Sequence, residues 1–258
     1  MKKTLCIGRG YIGKALSKYE GFTTISHQDF VENPDQINAY NIVVNTAAIT
    51  GDRKCKEAGY DAVIDANVKF ALSMQAEVLK RKKNFIQLST VGIVETQVAP
   101  SLSLHDTEPP FYVHEHTFVY PHNLYCASKI LNETAIGKRK HLILRLPWVL
   151  VEGVFQSRIQ HWDSIQDTWC SVLTIETLVK VIQNHSFLIG TYQIANAHVY
   201  FPHFISEQLG KELPIRKSYP TDMTAAVPVS TEKASEILKT LGINLKSKSK
   251  AQIRFEQF

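Results

Sequence analysis

No stretch of this chain approaches the roughly 20 consecutive apolar residues that a membrane-spanning helix needs, so a helical membrane protein is excluded. Cysteine is scarce: Cys6, Cys55, Cys126 and Cys170 lie far apart, with no CxxC pair. That spacing excludes a disulfide framework and a cysteine-based zinc module, and it predicts reduced thiols in a cytoplasmic setting. Met1-Lys2-Lys3 carries the charge of a signal sequence, but the apolar run behind it is short and stops at a glycine turn, so no secretory leader is expected. Low-complexity segments and internal repeats are missing as well. Neither sign of charge dominates, and a net +5 across 258 residues does not call for a nucleic-acid partner. The basic runs Lys80-Arg81-Lys82-Lys83, Lys138-Arg139-Lys140 and 246–250 are expected to be solvated, the first two at helix ends. With 44% apolar residues, the chain has the means for a large globular core.

What is present starts at the N-terminus. Residues 3–7 form an apolar, strand-like run that leads straight into Gly8-Arg9-Gly10-Tyr11-Ile12-Gly13, after which 14–18 reads as a helix. Strand, glycine turn and helix in that order form a dinucleotide fingerprint. Gly8 permits the tight turn, Gly10 lets backbone N–H groups approach a pyrophosphate, and Gly13 lets helix and strand pack closely. The helix N-terminus adds partial positive charge for the anion.

Further apolar runs at 22–26, 42–47, 84–90, 141–146 and 191–194 read as strands, and 60–82 has the apolar spacing of one long helix. Strands alternating with helices predict an α/β fold with a parallel sheet and right-handed crossovers. The division expected is a dinucleotide-binding domain over 1–150 and a smaller substrate lobe over 151–258, packed on it and forming with it one structural unit or two. Helices near 175–184, 204–209 and 232–241 belong to that second half. It is expected to cover the carboxyl ends of the strands, where ligands bind in open α/β sheets.

Tyr125-Cys126-Ala127-Ser128-Lys129 falls in a helical segment, where residues four apart share a face. A phenol titrates near pH 10 and is a poor proton donor or acceptor at neutrality. An ammonium beside it stabilises the phenolate, which predicts a lowered Tyr125 pKa and general acid–base work on a carbonyl or alcohol.

In this order along the chain, these segments resemble the extended short-chain dehydrogenase/reductases. Within them the likeness is to the nucleotide-sugar reductases of the dTDP-4-dehydrorhamnose reductase type. It rests on the glycine turn, Val44-Asn45-Thr46-Ala47-Ala48, Asn67, Leu88-Ser89-Thr90, Tyr125 to Lys129 and Leu144-Arg145-Leu146-Pro147-Trp148-Val149. Gly190 to Asn196 and Val229 to Ala234 extend it through the second half.

The resemblance implies a Rossmann-type, doubly wound parallel sheet and NAD(P)H-dependent reduction of a keto group on a nucleotide-linked deoxysugar. In it, Thr90 polarises the substrate carbonyl, with Ser89 as a competing hydroxyl. Tyr125 donates the proton, and Lys129 lowers the Tyr125 pKa and binds the nicotinamide ribose. Gly8, Arg9, Gly10, Tyr11, Ile12, Gly13, Asn45, Ala47 and Ala48 line the cofactor, the two alanines by close backbone passage or by plain packing. Asn67 either bonds backbone near the site or is solvated, and Trp148 either lines the sugar pocket or joins the core.

The glycine turn is one residue shorter than the family's, and Val91 stands where rhamnose-type reductases carry an acid. The loop before Tyr125 holds His105, Asp106, Glu108, His114, Glu115 and His116, read as polar surface, a lid or a partner surface; no metal is expected. Coenzyme preference leans to NADP(H) over NAD(H). Ser26-His27-Gln28 follow the second strand where an NAD enzyme carries an acid, and Arg9 can reach a 2′-phosphate. The competing readings are a nucleotide-sugar epimerase or dehydratase with bound NAD, and a non-catalytic NADP-binding regulatory subunit. A homodimer is compatible with all three.

Overall fold

A computed structural model of the chain describes residues 2–93, 119–137, 141–167, 169–217, 230–240 and 242–243. The histidine-rich loop, Lys138-Arg139-Lys140, Val229 and the basic run 246–250 lie outside the described residues.

The first strand, β1 (Thr4–Ile7), alternates Leu5 and Ile7 on one face with Cys6 on the other, all fully buried. Burial on both faces is the mark of a parallel sheet covered by helices on both sides. Helix α1 (Tyr11–Leu16) follows, then β2 (Phe22–Ile25), α2 (His27–Glu32) and β3 (Ile42–Asn45). Next come α3 (Asp52–Ala58), α4 (Tyr60–Ile64), α5 (Phe70–Lys80), β4 (Asn84–Thr90), α6 (Leu124–Ile136) and β5 (Leu142–Leu146).

The second half opens with β6 (Trp148–Leu150), α7 (Val154–Ile159), β7 (Ile165–Asp167), β8 (Trp169–Thr174) and α8 (Ile175–Gln183). It continues through β9 (Gly190–Gln193), β10 (Ala197–Tyr200), α9 (Phe201–Leu209), β11 (Ile215–Lys217) and α10 (Glu232–Lys239).

Six strands form the main sheet in the order β2-β1-β3-β4-β5-β9, and each adjacent pair is parallel. This is the doubly wound Rossmann-type arrangement the sequence predicts. The strand order reverses at β1 and β3, and the crevice beyond their carboxyl ends is where such sheets hold ligands. Leu5, Ile7, Val43, Phe85 and Ile143 face one apolar cluster with Ala71, Met74 and Val78 of α5. Cys6, Ile42, Val44, Ile86 and Leu144 face the other, which α1, α8 and α10 cover.

After β5 the chain leaves this sheet. Strands β6, β8 and β10 make a three-stranded sheet in the order β10-β8-β6, and β7 pairs with β11. Phe155, Phe201 and Phe204 pack beneath them in a separate apolar cluster.

Two local departures from expectation have clear causes. The third strand ends at Asn45 rather than 47, because the Asn45 Oδ1 accepts from Ala47 N at 3.0 Å and closes a turn. The expected single helix over 60–82 is instead α4, a π-helical turn at Asp65–Lys69, and α5. Its extra residue presents the Asn67 carbonyl to Asn132 Nδ2 of α6, which donates to it at 2.7 Å. Such turns mark functional sites often enough to be a signal.

Candidate active site

The glycine turn occupies the crevice between β1 and β3. A Cβ on Gly8, which has φ +125°, would meet Ala47 N at 2.5 Å, and one on Gly13 would lie 1.9 Å from Gly8 O. Both positions are closed to any side chain. A Cβ on Gly10 would meet nothing within 4 Å, so the turn's outer face is open to an approaching group. Closed backbone packing below and open space above fit a dinucleotide pyrophosphate lying against the turn. Thr46 Oγ1 donates to Gly8 O at 2.8 Å and holds the turn to the end of β3. That packing brings Ala47 beside it. The Tyr11 hydroxyl donates to Val149 O at 2.8 Å, and the Arg158 guanidinium of α7 sits 4.7 Å above the Tyr11 ring. Tyr11 and Ile12 both pack on the main core.

At the end of β2, Ser26 caps α2, with its Oγ accepting from Asp29 N while the Asp29 carboxylate accepts from Ser26 N. The same carboxylate pairs with Arg9 at 3.0 Å, both side chains being largely exposed. Those bonds to Ser26, with Arg9 beside it, hold Asp29 below the usual carboxylate range.

A polar chain leads from β3 to Lys129. Asn45 Nδ2 donates to Gln87 Oε1 at 2.9 Å, Gln87 Nε2 donates to Leu88 O at 2.7 Å, and Lys129 Nζ donates to the same carbonyl at 3.1 Å. Asn123 caps α6, its Oδ1 accepting from Cys126 N at 2.9 Å, which starts the helix just before Tyr125. Lys129 Nζ lies 5.9 Å from the Tyr125 ring centre, so the helical spacing does bring the two together. Tyr125 packs against the apolar cluster of Val91, Ile93, Cys126 and Ala195, of which Val91 directly follows Thr90 at the end of β4.

Thr90 Oγ1 accepts from Gly92 N at 3.1 Å. Ser89 Oγ is buried with no hydrogen-bond partner among the described residues, and Ser89 lies in register with Arg145 of β5.

One expectation changes here. Burial, reinforced by the nearby thiols Cys126 and Cys55, pushes the Tyr125 phenol up rather than down. Desolvating a phenolate costs more than a cation at this distance returns. Burial also drives the Lys129 ammonium down to about 8, against the upward pull of Glu133 and Cys55.

Asn67, left open by the sequence, is buried and bonded to backbone: Oδ1 accepts from Ile49 N at 2.8 Å, and Nδ2 donates to Ile49 O at 3.0 Å. The same amide nitrogen donates to Ser128 Oγ at 2.9 Å. Asn67 thereby ties the loop after β3 to α6. Trp148 stacks on Phe201 with ring centres 5.6 Å apart and meets Phe155 and Trp162 edge-on. Its half-buried ring thus belongs mainly to the aromatic cluster beneath β6, β8 and β10, although its indole nitrogen finds no partner among the described residues.

Sequence reasoning passed over Ser128, Asn132, Glu133 and Arg145. The signal was available, since Asn132 and Glu133 fall three and four residues beyond Lys129 on the same helical face. Among the described residues no group of three or more His, Cys, Asp or Glu side chains is placed to hold a metal ion, and no helix is long and apolar enough to cross a membrane.

A family model described as the RmlD substrate binding domain matches residues 23–161, more than half of the chain. The chain belongs to that family. The RmlD-type fold recurs in a dTDP-4-dehydrorhamnose reductase from Clostridium acetobutylicum, 18% identical, with 96% of each chain covered and a TM-score of 0.68. A reductase of the same name from Bacillus anthracis, in complex with NADP, is 17% identical over 96% of this chain and 95% of that one, TM-score 0.69. A hypothetical one from Sulfolobus tokodaii is 16% identical over 95% and 97%, TM-score 0.70. At these identities the likeness is one of fold. No curated protein matches the chain.

Proposed function

We propose that this RmlD-family chain reduces a keto group on a nucleotide-linked deoxysugar, using a reduced nicotinamide coenzyme. The observation that supports the reading is Lys129 Nζ lying 5.9 Å from the Tyr125 ring centre and bonded to Leu88 O, two residues before Thr90 on β4, in a sheet whose glycine turn has an open Gly10 face.

Gly8, Gly10, Gly13, Tyr11, Ile12, Asn45, Ala47 and Ala48 would hold the dinucleotide, and Lys129 its nicotinamide ribose. When bound, the reduced ring supplies the hydride. Thr90, with Ser89 beside it, holds the substrate carbonyl oxygen. Tyr125 then gives its proton to the alkoxide that forms there. Burial keeps the phenol protonated at neutral pH but makes it a weaker acid, so the donation leans on the Lys129 ammonium stabilising the phenolate left behind.

Residues 1–150 are the dinucleotide-binding part, and 151–258 the smaller lobe that carries the sugar, with Trp148 at its edge. Strand β9 completes the main sheet, which supports the two acting as one structural unit. Arg9, beside the end of β2, favours NADP(H) over NAD(H) by reaching a 2′-phosphate. The nucleotide-sugar and a second copy of the chain are the expected partners. Four buried free thiols suit a reducing, cytoplasmic setting.

Tyr125→Phe should lower turnover by at least about 100-fold and leave NADPH affinity within a few-fold, read by steady-state kinetics and fluorescence titration. Wild-type turnover in that variant would remove Tyr125 as the proton donor. A mass-spectrometric screen of nucleotide-4-keto-sugars with NADH and NADPH identifies the substrate. Coenzyme binding with no new hydroxyl product across the screen would point instead to a regulatory subunit.

A further inference from the structure

The face of α6 that carries Tyr125 and Lys129 carries one more ionisable group. Glu133 lies one turn beyond Lys129, as Lys129 lies one turn beyond Tyr125, so the three form a row along the helix. Arg145 of β5 grips the Glu133 carboxylate: its Nε donates to both oxygens at 3.1 and 3.2 Å, and its Nη2 donates to Oε2 at 2.8 Å. Glu133 is 5% exposed and Arg145 3%. Burying two such ions costs several kcal/mol each, and a packed apolar pair would hold helix to strand at least as well. Stability alone therefore gives no reason for charge at this point.

The neighbourhood of Lys129 gives one. Its ammonium is itself buried and rests on the Leu88 carbonyl of β4. The groups around it are Tyr125, Cys126 and Glu133 on its own helix, Cys55 from α3 with Asp52 behind that thiol, and Arg145 from β5 on the far side of Glu133. Burial pushes both Cys55 and Cys126 up, and it pushes Tyr125 up, so none of these is an anion at neutral pH. Asp52 acts on the two thiols. Among the described residues, Glu133 is the carboxylate on the Lys129 face of α6, one turn along and buried with it, where its charge favours the ammonium.

We propose that Glu133, clamped by Arg145, is a positioning residue that acts through Lys129: its carboxylate keeps the buried ammonium charged, and Arg145 fixes where that carboxylate sits. The proposal rests on the reading of Tyr125 and Lys129 as the reacting pair. A lysine that must stay protonated to stabilise a phenolate sets the alkaline limit of the reaction, so Glu133 determines where that limit falls.

The test follows Lys129 in two ways, by the NMR titration of ¹⁵Nζ-labelled lysine in the unliganded protein and by the alkaline limb of kcat/KM. In Glu133→Gln both midpoints should fall by about one pH unit. That variant leaves Arg145 buried without a counter-charge and should also lose thermal stability. The double variant Glu133→Gln/Arg145→Met removes the stranded guanidinium. It should recover most of the stability yet keep both midpoints low.

A purely structural pair would behave otherwise, with Tm falling and recovering while the Lys129 midpoint stays at its wild-type value in all variants. That result overturns the proposal. A Lys129 midpoint that moves while the kinetic limb does not would uphold the link from Glu133 to Lys129 and refute Lys129's part in the reaction.

Discussion

Tyr125 and Lys129 show how far residue types and spacing reach. Four-residue spacing on a helix placed the ammonium near the phenol, as the structure has it. The direction of the phenol's shift was not legible, because it depends on how much water the fold removes, and here burial raises it. The same burial makes Lys129 a pH-dependent contributor to stability. Its folded value near 8 lies below the unfolded value near 10.5, so between those pH values the unfolded chain holds more protons. The contribution of Lys129 to the stability of the unliganded protein should therefore rise as pH climbs from about 8 to 10.5, against the opposite trend of the buried thiols, so the stability of wild type relative to Lys129→Met should grow over that window in chemical denaturation series. Arg9 is the second residue-scale test. Arg9→Ala should weaken NADPH binding by about 10-fold and NADH binding far less. Equal losses in fluorescence titrations would show that Arg9 does not meet a 2′-phosphate.

At the scale of elements, central strands such as β1 and β3 were readable because they are short, mostly apolar runs buried on both faces. The helix over 60–82 was readable in extent but not in its interruption. Apolar periodicity cannot report a π-helical turn, which forms here because Asn132 and Ser128 of α6 bond to Asn67 from outside the helix. Asn67→Ala would leave the Ile49 N–H and C=O without their partners, and should cost about 2 kcal/mol in urea unfolding. Because that clamp sets the loop flanking the crevice, NADPH affinity should fall with it. An unchanged midpoint would mean that water replaces the amide fully.

For the molecule as a whole, the two halves of the chain share its largest apolar cluster. Cys6, Leu16 and Val44 of the first half pack in it with Leu173, Leu178, Ile182 and Leu238 of the second. A shared core of this kind predicts one cooperative thermal transition, with calorimetric and van't Hoff enthalpies in agreement. Two resolved transitions would show that the lobes unfold separately. Sequence alone determined the parallel α/β class, the glycine turn and the Tyr125–Lys129 pairing, since each depends on short-range periodicity or spacing that a local reading captures. Only the tertiary structure decided that β9 returns to the main sheet, that Trp148 stacks within the aromatic cluster, and that Glu133 meets Arg145. Those outcomes depend on which distant segments exclude water from one another, and that is a property of the packed chain rather than of any window along it.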